Sequence, residues 1–312
     1  MTDRSDDLRA WILDELSRLR IYEQKGKRRP HKPLLLLVAL ERLRRGERRL
    51  RLDDVADLMK ALLGRYAPPI KNQPQPHYPF WHLGSSKIWM VDHARDLAER
   101  QGDTPSQAAL RRTKAGFAPE VADALLNEPA LLDEAIATLL HEYFPTTLHE
   151  QILQHIGLDP PTALVARERS PVWQLRRQRD PVFRRRVLEA YDHRCAVTGF
   201  RAALSGVPIG CEAAHVRWHA ERGPDAVENG LCLEPTLHLL FDAGAWTLTD
   251  DRRVIVSARF EAEGEAFARL RERHGRRIRD PERGGAVLSA EYIRWHREAD
   301  RGGVFREPGL GV

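Results

Sequence analysis

The sequence predicts an α+β protein in two parts: a mainly helical N-terminal domain with a small hairpin, then a C-terminal domain built on a strand–loop–strand–helix core with flanking helices. Three observations lead there. Apolar residues recur at helical spacing from Asp6 to Ile156, interrupted by one Pro-rich, aromatic stretch. Residues 159–174 open with Asp159-Pro160-Pro161 and show little periodicity, so they read as a linker. Beyond it, short apolar runs at AAHV and GLCL precede the helical HLLFDAG. A boundary near residue 165 gives domains 1–165 and 166–312.

Each element follows from its own signals. Leu8, Trp11, Ile12, Leu16 and Leu19 form one apolar stripe, predicting a helix over Asp6 to Tyr22. GKRRPHKPLLLLVALERLRRG begins as a basic loop and continues, from Pro33, as a mostly buried helix ending near Gly46. A third helix spans Leu52 to Leu63 with Asp53 or Asp54 near its start. YPFWHL and KIWMVD carry β-favouring residues around Gly84-Ser85-Ser86 and predict a hairpin. Helices follow at Pro119 to Leu126, Pro129 to Tyr143 and Thr146 to Ile156. After the linker, DPVFRRRVLEAY reads as a helix with Asp180 as cap and Pro181 in the first turn. A strand at Arg253 to Val256 and helices at Gly264 to Gly275 and Ser289 to Asp300 complete the chain. No internal repeat is visible.

The chain has 312 residues, 30% charged and 42% apolar, as expected of a soluble globular protein. Its net charge is +5 and its pI about 9.3, which favours an anionic partner. The charge is clustered. Lys25, Lys27, Arg28, Arg29, His31 and Lys32 crowd one segment, and Arg176, Arg177, Arg179, Arg184, Arg185 and Arg186 another; both suit a phosphate backbone. The acidic N-terminus has no apolar signal region, and the longest apolar run, Leu34 to Leu40, is too short to span a membrane. A cytoplasmic protein is expected. Cys195, Cys211 and Cys232 form no CxxC pair, so buried reduced thiols are expected rather than a structural zinc.

The most specific signal lies between Cys211 and Gly244, CEAAHVRWHAERGPDAVENGLCLEPTLHLLFDAG. His215 falls on a short strand, Asn229 at the turn into a second, and His238 at the start of a short helix stopped by Gly244. This segment closely resembles the HNH (ββα-metal) nucleases, and YDHRCAVTGF upstream resembles the entry to the same domain. Hydrolysing a phosphodiester needs an activated water, charge neutralisation at the phosphate and help for the leaving oxygen. A neutral imidazole suits the first need and a divalent cation, Mg, Mn or similar, the others. The resemblance makes His215 the general base, His238 a metal ligand, and Asn229 the residue that braces the loop and aims His215. Many HNH nucleases carry an acid directly before the first His, where this chain has Ala214. Asp242, one helical turn after His238, is the better second ligand, with Glu212 behind it and His219 a further option.

Two clusters distinguish the N-terminal half: RRPHKPLLLL and PHYPFWHL. Together they resemble the sulfur-binding domain of the phosphorothioate-dependent, McrA-type restriction endonucleases, in which an HNH nuclease follows, as here. That resemblance implies double-stranded DNA as partner, bound where one non-bridging oxygen is replaced by sulfur. Sulfur is more polarisable and a poorer hydrogen-bond acceptor, so an apolar socket desolvates it at little cost but would strand an oxygen. Tyr78 and Pro79 can form such a socket and His82 complete it, while Arg28, Arg29, His31 and Lys32 supply charge. The resemblance sets one cation of this cluster against the modified phosphate. The implied activity is modification-dependent, type IV-like restriction. The alternative is an HNH endonuclease acting on methylated or unmodified foreign DNA. One HNH site cuts one strand, so double-strand cleavage implies a homodimer or sequential nicking.

Overall fold

The computed structural model describes residues 2–24, 27–67, 77–101, 105–158, 180–284, 286–298 and 304–306. The expected linker and the Pro-rich loop over 68–76 lie outside them. The chain divides into two compact units, a first of residues 1–23, 28–67 and 72–170 and a second of residues 24–27, 68–71 and 171–312.

The first unit is organised around one helix. α1 (Thr2–Ser17) and the short paired strands β1 (Tyr22–Gln24) and β2 (Lys27–Arg29) precede α2 (His31–Arg44). Every residue from Pro33 to Glu41 of α2 is buried. A helix apolar on all sides must be covered on all sides. It packs against α3 (Leu52–Tyr66), α4 (His77–His82), α7 (Pro119–Asn127), α8 (Pro129–Tyr143) and α9 (His149–Ile156). Two short helices, α5 (Ala94–Gln101) and α6 (Gln107–Leu110), lie between α4 and α7 in sequence. Pro119 and Pro129 each open their helix, where a missing N–H costs nothing.

The expected hairpin over YPFWHL and KIWMVD is not formed. Residues 77–82 are α4, followed by a 3₁₀ turn at Leu83–Ser85. Pro79 sits near the start of α4, where its lack of an N–H is tolerated, and Phe80 and Leu83, three apart, are both fully buried. Only the second half is a strand, β4 (Trp89–Val91), and it pairs with β5 (Lys114–Phe117). With β3 (Leu50–Arg51) these form a three-stranded antiparallel sheet in the order β3-β5-β4. Gly116 makes this possible: a Cβ there would collide with the Arg48 carbonyl. Long-range pairing therefore replaced the local turn.

The second unit begins with α10 (Asp180–Ala190) and a hairpin of β6 (Ala202–Leu204) and β7 (Val207–Ile209). The centre is an antiparallel pair, β8 (Glu212–His215) and β9 (Gly230–Leu233), in the register His215 opposite Gly230 and Glu212 opposite Leu233. α11 (Pro235–Asp242) follows β9 and starts one turn earlier than the sequence suggested, because Pro235 supplies the first helical position. A second pair, β10 (Trp246–Leu248) and β11 (Val254–Val256), leads to α12 (Glu265–Glu272) and α13 (Ala290–Arg297). The core joins Phe183 and Val187 of α10, Leu231 of β9, Phe241 of α11 and Trp246 of β10. No helix among the described residues is long and apolar enough to cross a membrane.

Candidate active site

β8, β9, α11 and the loop joining the two strands assemble one site in the second unit. His215 ends β8, and its ring stacks on Phe183 of α10 with centroids 3.8 Å apart and planes at 13°. Gly230 opposite it is needed for this approach, since a Cβ would meet Val187 and Phe183. His215 Nε2 lies 2.9 Å from Asp225 Oδ1. A carboxylate accepts only, so the ring proton belongs on Nε2 and Nδ1 keeps its lone pair. The His215 side chain is 20% exposed, so the ring is not sealed from solvent.

Asn229 is fully buried inside the loop. Its Oδ1 accepts from the Arg217 N–H at 2.8 Å, and its Nδ2 donates to the carbonyls of Arg217 and Pro224, both at 3.0 Å. The side chain thus ties the start of the loop, directly after β8, to its far side. Gly223 leaves room for this brace: a Cβ there would collide with the Arg217 carbonyl and Asn229 Nδ2.

His238 projects from the middle of α11 between two carboxylates. Nδ1 is 2.8 Å from Glu212 Oε2, and Nε2 is 3.3 Å from Asp242 Oδ2. Burial by itself would depress this imidazole, but Asp242 and Glu212 outweigh it and raise its pKa to about 9. Glu212 is held below the usual carboxylate range by its hydrogen bond to His238. The two acids differ in access. Asp242 is 2% exposed, and its Oδ1 accepts from Trp218 Nε1 at 3.1 Å; the Glu212 side chain is 41% exposed. Strand side chains alternate, so Glu212 shares a face of β8 with Ala214, the position that lacks the expected acid. His219 lies on a 3₁₀ turn with its ring 6.2 Å from that of His215.

Among the described residues, no group of three or more His, Cys, Asp or Glu is arranged to hold a metal ion. Within the described residues the site offers a paired donor set, His238 and Glu212. An imidazole nitrogen and a carboxylate oxygen converging at 2.8 Å match the donor chemistry of a divalent cation that keeps open positions. Cys195, Cys211 and Cys232 are buried free thiols.

In the first unit the structure brings the ends of α2 and α4 together. His31 and Lys32 occupy the first turn of α2, which has no acidic residue and no side-chain cap. Tyr78 stacks on His82 at 6.1 Å and 19°, and His77 lies against Tyr78 at 4.5 Å. Burial and the Lys32 ammonium both hold the His82 imidazole below its ordinary range, which sets Lys32 beside the aromatic pair. Burial and Arg20 likewise depress Lys32. Pro79 is buried, whereas Tyr78 is 45% exposed. Arg28 and Arg29 lie on β2.

Two functional contacts had no signal in the sequence pattern. Asp225 sits in a GPDA turn ten residues from His215, and Phe183 on a helix thirty-two residues upstream. Both meet His215 only through the tertiary fold.

An antiparallel strand pair ending in a clamped histidine, a loop braced by a buried asparagine, and a helix presenting a second histidine beside a carboxylate define a ββα-metal nuclease fold. Family models agree: residues 9–161 match the ScoMcrA-like DNA sulfur-binding domain and residues 195–249 match HNH endonuclease. The chain thus carries a ScoMcrA-like DNA sulfur-binding domain followed by an HNH endonuclease domain. No curated protein matches it significantly. Among solved structures, the sulfur-binding domain of SprMcrA complexed with phosphorothioated DNA is 29% identical, covering 50% of this chain and 96% of that one, with a TM-score of 0.39. The corresponding ScoMcrA domain is 24% identical over 47% of this chain and 94% of that one, with a TM-score of 0.40. The modification-dependent TagI restriction endonuclease is 28% identical over 42% of this chain and 39% of that one, with a TM-score of 0.30.

Proposed function

We propose that this protein is a modification-dependent, type IV-like restriction endonuclease. The first unit binds duplex DNA at a phosphorothioate linkage, and the second hydrolyses a phosphodiester nearby. What carries the reading is the presence, in one chain, of a DNA sulfur-binding domain and an HNH site with His215, Asn229 and His238 in place.

The cluster at α2 and α4 supports the recognition half. The uncapped start of α2 offers backbone N–H groups and a lysine to a phosphate. The Tyr78–His82 stack presents polarisable, weakly hydrogen-bonding surface beside them, which favours sulfur over oxygen. Tyr78 and His82 form the face of the socket; Pro79, being buried, sets its floor. Arg28 and Arg29 remain candidates for the charge against the modified phosphate.

For catalysis, His215 takes the proton of the attacking water at Nδ1, with Nε2–H donated to Asp225. Glu212 and His238 would hold the divalent cation. When bound, that ion neutralises phosphate charge and stabilises the leaving oxygen. Asp242 then stands behind His238, receiving the second ring nitrogen's proton and anchored by Trp218, in the way a ligating histidine is commonly oriented. On this reading Asp242 would support His238 rather than bind the ion, and the exposed acid, Glu212, would hold it. Action in the cytoplasm, and a homodimer for double-strand cleavage, complete the proposal.

Matched plasmids with and without phosphorothioate, incubated with a divalent metal, provide the test. Cleavage confined to the modified plasmid is expected. Equal cleavage of both would favour the reading as a nuclease of methylated or unmodified foreign DNA and discard the sulfur assignment.

A further inference from the structure

We infer that Asp225 is the positioning residue of the catalytic histidine, and that Asn229 acts on catalysis by holding Asp225 in place. The inference rests on His215 being the general base. A base must present a lone pair, and a neutral imidazole has one proton for two nitrogens. Whichever nitrogen meets a carboxylate keeps the proton. Asp225 Oδ1, 2.9 Å from Nε2, selects the tautomer in which Nδ1 is the base. It also favours the imidazolium that forms once the water's proton has moved to Nδ1. The proton thus passes from water to Nδ1 as the water oxygen bonds to phosphorus, the bond from phosphorus to the leaving sugar oxygen breaks, that oxygen departs with the bonding pair and takes a proton from solvent, and Asp225 remains a carboxylate throughout.

The ring has two restraints. Phe183 stacks on its face, which fixes the plane but leaves rotation within that plane. The hydrogen bond to Asp225 removes that freedom. Asp225 in turn depends on the loop. Asn229 Nδ2 donates to the carbonyl of Pro224, the residue immediately before Asp225, while Oδ1 and the same Nδ2 grip both backbone groups of Arg217, two residues after His215. One buried side chain therefore fixes the two loop positions that flank the His215–Asp225 contact. The asparagine's contribution reaches the imidazole through a carboxylate that lies between them in sequence.

The test uses the full chain and phosphorothioate-bearing duplex DNA. His215→Ala first checks the base: retained metal-dependent cleavage there would refute the general-base role and leave Asp225 without a catalytic consequence. With that loss established, Asp225→Asn is expected to lower kcat by roughly ten- to ten-thousandfold, the range seen when a histidine's orienting carboxylate is altered. KM and DNA affinity should stay within about twofold. Nitrogen-15 NMR of His215 should show the proton on Nε2 in the native protein and a shift toward the Nδ1–H form in Asp225→Asn. Asp225→Glu should restore part of kcat and the native tautomer. Asn229→Asp, which loses both Nδ2 donations, should show the same tautomer shift. Native kcat in Asp225→Asn, or a fall in kcat with an unchanged tautomer, would overturn the inference; the second result would make Asp225 merely structural.

Discussion

At the scale of single residues, histidines in this chain take three roles set by their neighbours. His215 meets one carboxylate and stays partly exposed, His238 meets two and is raised to about 9, and His296 makes its hydrogen bonds to a hydroxyl and a carbonyl instead. His296 is fully buried, stacked on Phe241 at 3.7 Å, donating Nε2–H to the Phe241 carbonyl and accepting from Thr247 Oγ1. Burial lowers its pKa to about 4. An unfolded histidine takes a proton near pH 6.5, so between these values the unfolded state binds more protons. Its contribution to stability is fully present above about pH 6.5 and is lost as pH falls toward 4, amounting to roughly 3 kcal/mol. Urea unfolding at pH 7.5 and 4.5 should show this loss in the native protein and much less of it in His296→Gln; equal acid loss in both would assign it elsewhere. The three motif residues were legible in sequence because they fall within one continuous segment whose strand and helix signals are local. Asp225 and Phe183 were not, because a polar turn residue and a helix-face aromatic carry no mark of which ring they will meet.

At the scale of elements, tertiary packing decided where local preference was ambiguous. YPFWHL is rich in aromatic residues that favour strands, yet it folds as a helix because Phe80 and Leu83 reach the core only at helical spacing. Helices with proline at the first position and a clear apolar stripe, α7 and α8, were readable almost to the residue. Around His238 both kinds of signal operate. Helical spacing sets Asp242 beside its ring, and the pairing of β8 with β9 and α11 brings Glu212 to the same ring on the exposed side. The contact of α10 with the end of β9 offers a direct test. Gly230→Ala forces a methyl group into Val187 and Phe183, costing about 1–3 kcal/mol by overpacking. Because Phe183 carries the His215 ring, cleavage should fall further than stability alone explains, with DNA binding retained. Denaturant unfolding measured beside kcat checks it: full activity in the folded variant would show that the stack is dispensable.

At the scale of the whole molecule, recognition and chemistry reside in different units of one chain, so they should separate by mutation. Tyr78→Ala removes one of the two exposed rings of the Tyr78–His82 stack and leaves α2 covered. It should weaken binding to phosphorothioate DNA by about tenfold or more, the range for losing one aromatic contact of 1–3 kcal/mol, while binding to unmodified DNA changes little. His215→Ala should bind modified DNA normally and not cut it. Gel-shift titrations of both variants on both duplexes read the difference, and a parallel loss on modified and unmodified DNA in Tyr78→Ala would make Tyr78 structural. The two-part organisation was legible from the Pro-rich break and the change in pattern across it. The interior of the first unit was less so, since its sheet joins strands far apart in sequence.

All three cysteines of the chain lie in the second unit, each at most 6% exposed. Cys211 directly precedes β8, the strand that carries Glu212 and His215, Cys232 lies within its partner β9, and Cys195 accompanies them in the same core. Alkylation of any of them requires the nuclease core to open. The first unit contributes no thiol. The protein thus carries a chemical clock for one of its two halves: the rate at which thiols react reports how often the catalytic half comes apart, with no thiol of the recognition half adding to the signal.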